Sequence, residues 1–214
     1  GATGPVEEVD GLRFYRTTAG WLKTVPLLNQ WDIVQGLVRR IVQIARDEHI
    51  DILHAHSPCL NGLAALLASR KLGIPVVYEV RAFWEDAAVD HGTCREGDWR
   101  YRLTRFLATR VLKRAARVTC ICEGLRAEIV ARGVAPERVR VIPNGVDVDT
   151  YSPGPSDYKE AIGASVLAAY IGRLDPEKNV GDFLGAFHSL DLPNDHKAVV
   201  VGNGMDLSRL RRKY

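Results

Sequence analysis

No stretch of about 18 consecutive apolar residues occurs in the sequence, which argues against a conventional membrane-spanning helix. Charge of one sign is also scarce. Lys and Arg number 29 against 26 Asp and Glu, a net charge of +3, so neither nucleic acid nor any other strong polyanion is expected as a partner. The four cysteines, Cys59, Cys94, Cys120 and Cys122, lack the spacing of a zinc site or a redox pair. Cys120 and Cys122 fall in an apolar run, which reads as buried thiols in a reducing, cytoplasmic compartment. No secretory leader is read at the start. Gly1-Ala-Thr-Gly-Pro5, without an initiator methionine, reads as a loop cut into. What is present is ordinary for a globular protein: 214 residues, 46% apolar and 26% charged, enough for one large domain or two modest ones.

The patterning alternates between strand and helix. Residues 11–17 read as an edge strand, and 29–49 as an amphipathic helix with the stripe Ile33, Val34, Leu37, Val38, Ile41, Ile44 and Ala45. Residues 50–56 form a strand ending in polar groups, and 60–72 an Ala/Leu helix stopped by Gly73. Residues 74–80 form a buried strand with Pro75 at its entry. Such alternation predicts a parallel sheet with right-handed crossovers. The segment 81–99 has no sustained period and reads as a long functional loop following a strand end. Residues 100–117 read as a helix with seven cations. It is either a packed helix with a solvated basic face or a patch resting on an anionic membrane. Strands at 118–122 and 136–142 flank a short helix, and Asn144-Gly145 reads as a tight turn whose amides can face a ligand.

Residues 151–164, rich in Pro, Gly, Ser and Asp, read as a linker, and a second strand–helix unit starts at Val166. Gly172 ends its first strand, Arg173 and Lys178 bracket the following turn, and a helix begins near Asn179 with Val180, Phe183, Leu184 and Phe187 at helical spacing. Ligands bind open parallel sheets at the carboxyl ends of strands. Two cations beside a helix start favour an anion there, a phosphate or diphosphate. On these residues alone, two solvated loop charges remain the plainer alternative.

Four segments, taken in order, carry a resemblance: Asp51-Ile-Leu-His-Ala-His56; Arg138-Val-Arg-Val-Ile-Pro-Asn-Gly-Val-Asp147; Tyr170-Ile-Gly-Arg-Leu-Asp-Pro-Glu-Lys-Asn179; and Val199-Val-Val-Gly-Asn-Gly204. Together they resemble the retaining glycosyltransferases of the GT-B fold, group 1 and family 4-like. The resemblance implies an α/β protein of two Rossmann-like parallel-sheet domains, the second incomplete: 1–147 on the acceptor side, a linker at 148–165, and 166–214 as part of a nucleotide-sugar-binding domain. It implies transfer of a sugar from a nucleotide-diphosphate-sugar donor with retention, in polysaccharide or glycolipid biosynthesis. Arg173 and Lys178 take the place of the family's diphosphate-binding cations, stabilising negative charge on the leaving oxygen. Gly172, Asn144, Gly145, Gly202 and Gly204 fall on the donor side. His56, Arg81, Trp84 and Glu85 fall on the side of a sugar or lipid-linked acceptor, Trp84 offering an apolar face to a sugar. His56 reads equally as a strand-end histidine satisfied by backbone. Members of the group work without a divalent metal, and no metal or other cofactor is expected.

The sequence departs from the family pattern in three places. The histidine that many members carry after the strand at 74–80 is replaced by Arg81-Ala-Phe-Trp-Glu85. The opening strand with its glycine-rich loop is not found before Gly1, and the paired glutamates of the C-terminal segment are not found by Tyr214. The 214-residue piece is therefore expected to be inactive alone. Two other readings stay open: a non-catalytic GT-B-like module that binds a nucleotide or partner, and a GT-B sugar-nucleotide epimerase.

Overall fold

The computed structural model of the chain describes residues 6–17 and 28–214, so the reading of residues 1–5 lies outside the described residues. The chain divides into two compact units, 1–145 and 146–214. The first opens with an antiparallel hairpin, β1 (Val6–Val9) and β2 (Leu12–Tyr15), where one strand is expected. Asp10 and Gly11 both take positive φ at its tip, the backbone that two-residue hairpin turns demand.

A parallel sheet follows in strand order β3 (Leu53–His56), β4 (Val76–Val80), β5 (Arg117–Cys120), β6 (Val139–Val141). Between the strands run α2 (Cys59–Leu72), α3 (Trp84–Asp90), α4 (Trp99–Arg114) and α5 (Glu123–Ala131); α1 (Leu28–Asp47) precedes β3. Strand alternation decides which face is packed. Val76, Tyr78 and Val80 are buried with Val118 and Cys120 against Ala65, Val111, Leu112 and Ile129 of the helices. The approach of α2 is close enough that a Cβ on Gly62 would lie 2.4 Å from Val111 Cγ1 and 2.7 Å from the Tyr78 ring. Val34 and Val38 of the α1 stripe pack on Ala64 and Ala68 of α2. Gly73 ends α2 in the left-handed region (φ 74°), its N–H donating to Ser69 O.

Several expectations are corrected here. Residues 84–90, read as loop, form α3, with Glu85 and Asp86 in the first turn, where acids favour a helix start. The basic helix ends at Arg114 rather than 117, because Ala115 turns extended and Arg117 opens β5. Cys59 and Cys120 are buried, but Cys122 is exposed at the entrance to α5. Asn144-Gly145 makes no tight turn: Gly145 has no positive φ, and 142–147 runs as irregular chain.

In the second unit β7 (Val166–Ile171) pairs in parallel with β8 (His196–Val201), surrounded by α6 (Tyr158–Ala161), α7 (Val180–Ser189) and α8 (Leu207–Lys213). Part of the segment read as linker is folded into it, through α6 and the Ser165 N–H donating to Asp195 O. Leu174, Val180 and Leu210 form its small core. β7 is not the buried strand expected. Ile171 is 78% exposed, since a two-stranded sheet offers little width to cover.

Candidate functional site

Two clusters of the expected residues lie at strand exits, one in each unit. In the second unit the loops after β7 and β8 are laced together by backbone. Gly172 N–H donates to Val201 O (3.0 Å), Leu174 N–H to Asn203 O (2.9 Å) and Asp206 N–H to Leu174 O (2.8 Å). This closeness requires glycine. A Cβ at Gly202 would fall 1.8 Å from Gly172 O, and one at Gly204 would fall 2.5 Å from the Leu174 carbonyl. Gly202 and Gly204 are thus required by the lacing, whereas a Cβ at Gly172 would meet only the Tyr170 side chain.

The laced loops fix Arg173. Its guanidinium pairs with Asp175 Oδ2 (3.2 Å) and Glu177 Oε1 (3.1 Å), while the Tyr170 hydroxyl donates to Arg173 O (2.8 Å). Asp175 is itself held, accepting from Met205 N–H (3.3 Å). Arg173 stays 68% exposed at the side chain although both its partners are mostly covered. Lys178 is exposed at the end of a 3-10 turn, Pro176–Lys178, and its ammonium makes no hydrogen bond or ion pair among the described residues. Asn179, in the left-handed region, opens α7 without a side-chain cap, leaving helix-start N–H groups directly after Lys178 in the chain.

In the first unit the exits of β3 and β4 bring together groups distant in sequence. Arg81 donates to Glu79 Oε1 (3.3 Å) and to Asn144 Oδ1 (3.0 Å), and its N–H to Ser57 Oγ (3.3 Å). His56 lies beside Glu79, its register partner, with Nδ1 3.5 Å from Oε1. Arg81, His56 and Asn144 thus meet at one edge of the sheet. Trp84 opens α3 and is 51% exposed. Glu85 is placed otherwise than expected. Only 1% exposed, it pairs with Arg132 Nη1 at 2.6 Å, and the Arg132 guanidinium lies 3.7 Å from the centre of the Phe83 ring. A carboxylate so enclosed offers no surface to an acceptor.

Sequence reasoning missed Glu79, His54, Asp175, Glu177 and Arg132. The His-x-His spacing on β3 was the available signal for His54; Glu79 depends on strand register, which spacing does not reveal. It also left out Asp147-Val-Asp149, which has Asp-x-Asp spacing. Asp147 Oδ1 accepts from the N–H of Asp149 (3.0 Å) and Thr150 (3.3 Å), and Oδ2 from the Thr150 hydroxyl (2.7 Å). Hydrogen bonding from Thr150, then from the Asp149 amide, holds this carboxyl below its usual range. Both oxygens are thus engaged within their own turn.

Comparison with known proteins follows the same lines. Residues 1–145 match the model of the glycosyl transferase 4-like domain. A GDP-mannose-dependent alpha-mannosyltransferase of Mycobacterium tuberculosis is 30% identical over 179 residues, 80% of this chain and 44% of that protein. The UDP-Gal:alpha-D-GlcNAc-diphosphoundecaprenol alpha-1,3-galactosyltransferase of Escherichia coli is 30% identical over 185 residues, 81% of this chain and 46% of its own length. Anabaena HepE, solved in complex with UDP, superposes with a TM-score of 0.65 at 21% identity, covering 88% of this chain and 49% of that one. The chain spans about half the length of the relatives it matches. By its sequence match over two thirds of its length and by its α/β parallel-sheet architecture of GT-B type, the chain belongs to the glycosyl transferase 4-like family.

Proposed function

We propose that the chain is the part of a retaining glycosyltransferase that carries the acceptor side and the diphosphate-binding turn, moving a sugar from a nucleotide-diphosphate-sugar to a sugar or lipid-linked acceptor in polysaccharide or glycolipid biosynthesis. The observation that carries this is Arg173, pinned at the β7 exit by two carboxylates, with Lys178 and an uncapped helix start following in the same loop. Charge grows on the leaving oxygen as the glycosidic bond breaks, and fixed cations stabilise that stage more than the ground state. Gly172, Gly202 and Gly204 let backbone come close to the diphosphate, and Asn144 and Gly145 belong to the donor side from the β6 exit. His56, Arg81 and Trp84 face the acceptor, while Glu85 supports α3 from beneath. No divalent metal is assigned to the transfer step. Support for a nucleotide-sugar donor comes from the named substrates of the mannosyl- and galactosyltransferase relatives and from the UDP held by HepE.

The protein is proposed to work in the cytoplasm. Contact with an anionic membrane surface through α4 belongs to the same proposal. Trp99 and Phe106 are exposed on α4, and Arg110 and Arg114, which make no ion pair among the described residues, border an apolar groove against α2 with Arg70. Among the described residues no helix is long and apolar enough to cross a membrane.

The test is turnover by the full-length enzyme that carries this chain, after Arg173→Ala and Lys178→Ala. Loss of a preorganised charge contact is expected to lower kcat by about 10²–10³ for each variant, with Tm unchanged for Lys178→Ala and the fold retained for Arg173→Ala by circular dichroism. A binding scaffold would keep its ligand affinity and show no transfer in the parent protein. Acceptor-independent release of free nucleotide would identify an epimerase instead. Unchanged turnover in both variants overturns the assignment.

A further inference from the structure

One face of the first unit's sheet holds a cluster of which the acceptor assignment uses only His56, and diphosphate binding none. His54 and His56 alternate along β3, with Ala55 between them buried in the core. Both imidazoles therefore leave the strand on the face away from α2 and α4. Glu79 pairs in register with His56 on the adjacent strand and shares that face, between the buried Tyr78 and Val80. Its carboxylate meets both rings, Oε2 lying 3.2 Å from His54 Nε2 and Oε1 lying 3.5 Å from His56 Nδ1. The ring centres are 4.6 Å apart, and the three ligand atoms lie within 4.8 Å of one another.

We infer that His54, His56 and Glu79 form a binding site for a borderline transition-metal ion of the zinc class. The donor set selects the metal. Two neutral imidazole nitrogens with one carboxylate suit Zn²⁺, whereas Mg²⁺ and Ca²⁺ take oxygen ligands. Zinc bonds of about 2.0–2.2 Å place tetrahedral ligand atoms roughly 3.4 Å apart, close to the two distances observed here. The remaining adjustment is a rotation of side chains that are about half exposed, 48% for His54 and 49% for His56. Three protein ligands on an open face leave a fourth position to water. The scaffold is rigid where it needs to be, because all three ligands stand on adjacent hydrogen-bonded strands rather than on loops.

Occupancy has a consequence inside the cluster. Glu79 Oε1 also receives Arg81 Nη1 at 3.3 Å. A metal drawing that carboxylate toward the two rings competes with the guanidinium, leaving Arg81 held through Asn144 Oδ1. Zn²⁺ would then depress transfer by altering His56 and Arg81. That consequence rests on the acceptor role proposed above; the binding itself does not.

The experiment is isothermal titration of the chelator-stripped chain with Zn²⁺, carried out with Cys94 and Cys122 replaced by serine to remove thiol competition. One equivalent is expected to bind with a Kd in the micromolar range or below, with Ni²⁺ also bound and Mg²⁺ not. Each of H54A, H56A and E79Q is expected to weaken binding at least tenfold and to abolish the rise in Tm produced by Zn²⁺. A second measurement needs no ligand variant: Zn²⁺ should protect His54 and His56, but not His49 or His91, from diethyl pyrocarbonate, read by peptide mass mapping. Absence of one-to-one binding, binding unchanged in the H54A/H56A double variant, or equal modification with and without Zn²⁺ overturns the inference. Zn²⁺ binding with transfer unaffected would leave the site standing and remove only the link to the acceptor.

Discussion

The Glu85–Arg132 pair separates a supporting role from a substrate-binding one. Glu85 is in the first turn of α3 and Arg132 just past the end of α5, so their 2.6 Å contact ties together two helices that the sequence holds 47 positions apart. Side-chain exposures of 1% and 2% remove the pair from solvent screening. Arg132 has further partners, Glu128 Oε1 at 3.0 Å and the Phe83 ring. For Glu85, Oε2 lacks any hydrogen-bond partner among the described residues. Removing one member of a buried pair costs about 3–5 kcal/mol, chiefly because the other charge is left uncompensated. Glu85→Leu should fall at the lower end, since Arg132 keeps Glu128. Arg132→Met should fall at the upper end, since Glu85 keeps nothing. At about 2–4 °C per kcal/mol for a chain of this size, the Tm drop lies roughly between 6 and 20 °C, smaller for the Glu85 variant. The double variant Glu85→Leu with Arg132→Met should return to within about 2 kcal/mol of the parent, because apolar replacement of both partners removes the desolvation penalty. Thermal and urea melts of the four proteins give the cycle. Single variants that melt with the parent while E85Q raises the acceptor KM would refute this reasoning and restore Glu85 to the acceptor.

Two further predictions use thiols and lipid. The Cys59 thiol lies at the start of α2, where a helix terminus ordinarily favours thiolate, yet burial pushes it up to about 11. At pH 8 a disulfide reagent should therefore modify exposed Cys122 first, with Cys59 slower by at least about 10² from its thiolate fraction alone; equal rates would refute the burial. On the basic helix, Arg110 most of all, then burial and Arg70, push the Arg114 guanidinium below its ordinary value, a sign of crowded like charges, with no carboxylate partner among the described residues. Cosedimentation with vesicles containing phosphatidylglycerol should weaken about 30-fold on Arg110→Ala with Arg114→Ala, at about 1 kcal/mol per charge. Equal binding to neutral phosphatidylcholine vesicles would sink the electrostatic argument.

Elements with a sustained period were readable, and those built by pairing at a distance were not. The α1 stripe, the apolar runs of β4 and β5, and Gly73 ending α2 all follow from local chemistry acting over a few residues. The seven residues of α3 are too few to show a stripe, and its buried group is a charged one, Glu85, whose partner lies in another helix. Glu79 was passed over for a related reason: its neighbours on the chain are apolar, and only the parallel register with β3 places it between two histidines. Arg173 was readable as a cation at a strand exit, but the two acids that fix it looked like ordinary loop charges.

Those acids bear on how Arg173 could meet a diphosphate. Taken as formal charges, Arg173 and Lys178 are cancelled by Asp175 and Glu177, so the turn has no excess of positive side chains to attract an anion. Position has to supply what net charge does not. A guanidinium carries five N–H donors, and the two carboxylates engage Nη1 and Nη2 once each, leaving donors free on the exposed side. The same contacts restrict the rotamer freedom that a long side chain would otherwise lose on binding. Asp175 is anchored in turn by the Met205 amide, so the orientation of Arg173 is transmitted from the laced backbone of Gly172, Leu174 and Asn203. The Lys178 ammonium, which makes no ion pair among the described residues, and the open N–H groups of α7 add local positive potential at the end of the turn. Under the proposed function, such an arrangement would act at contact rather than at a distance, which suits charge appearing on a leaving oxygen better than charge already present.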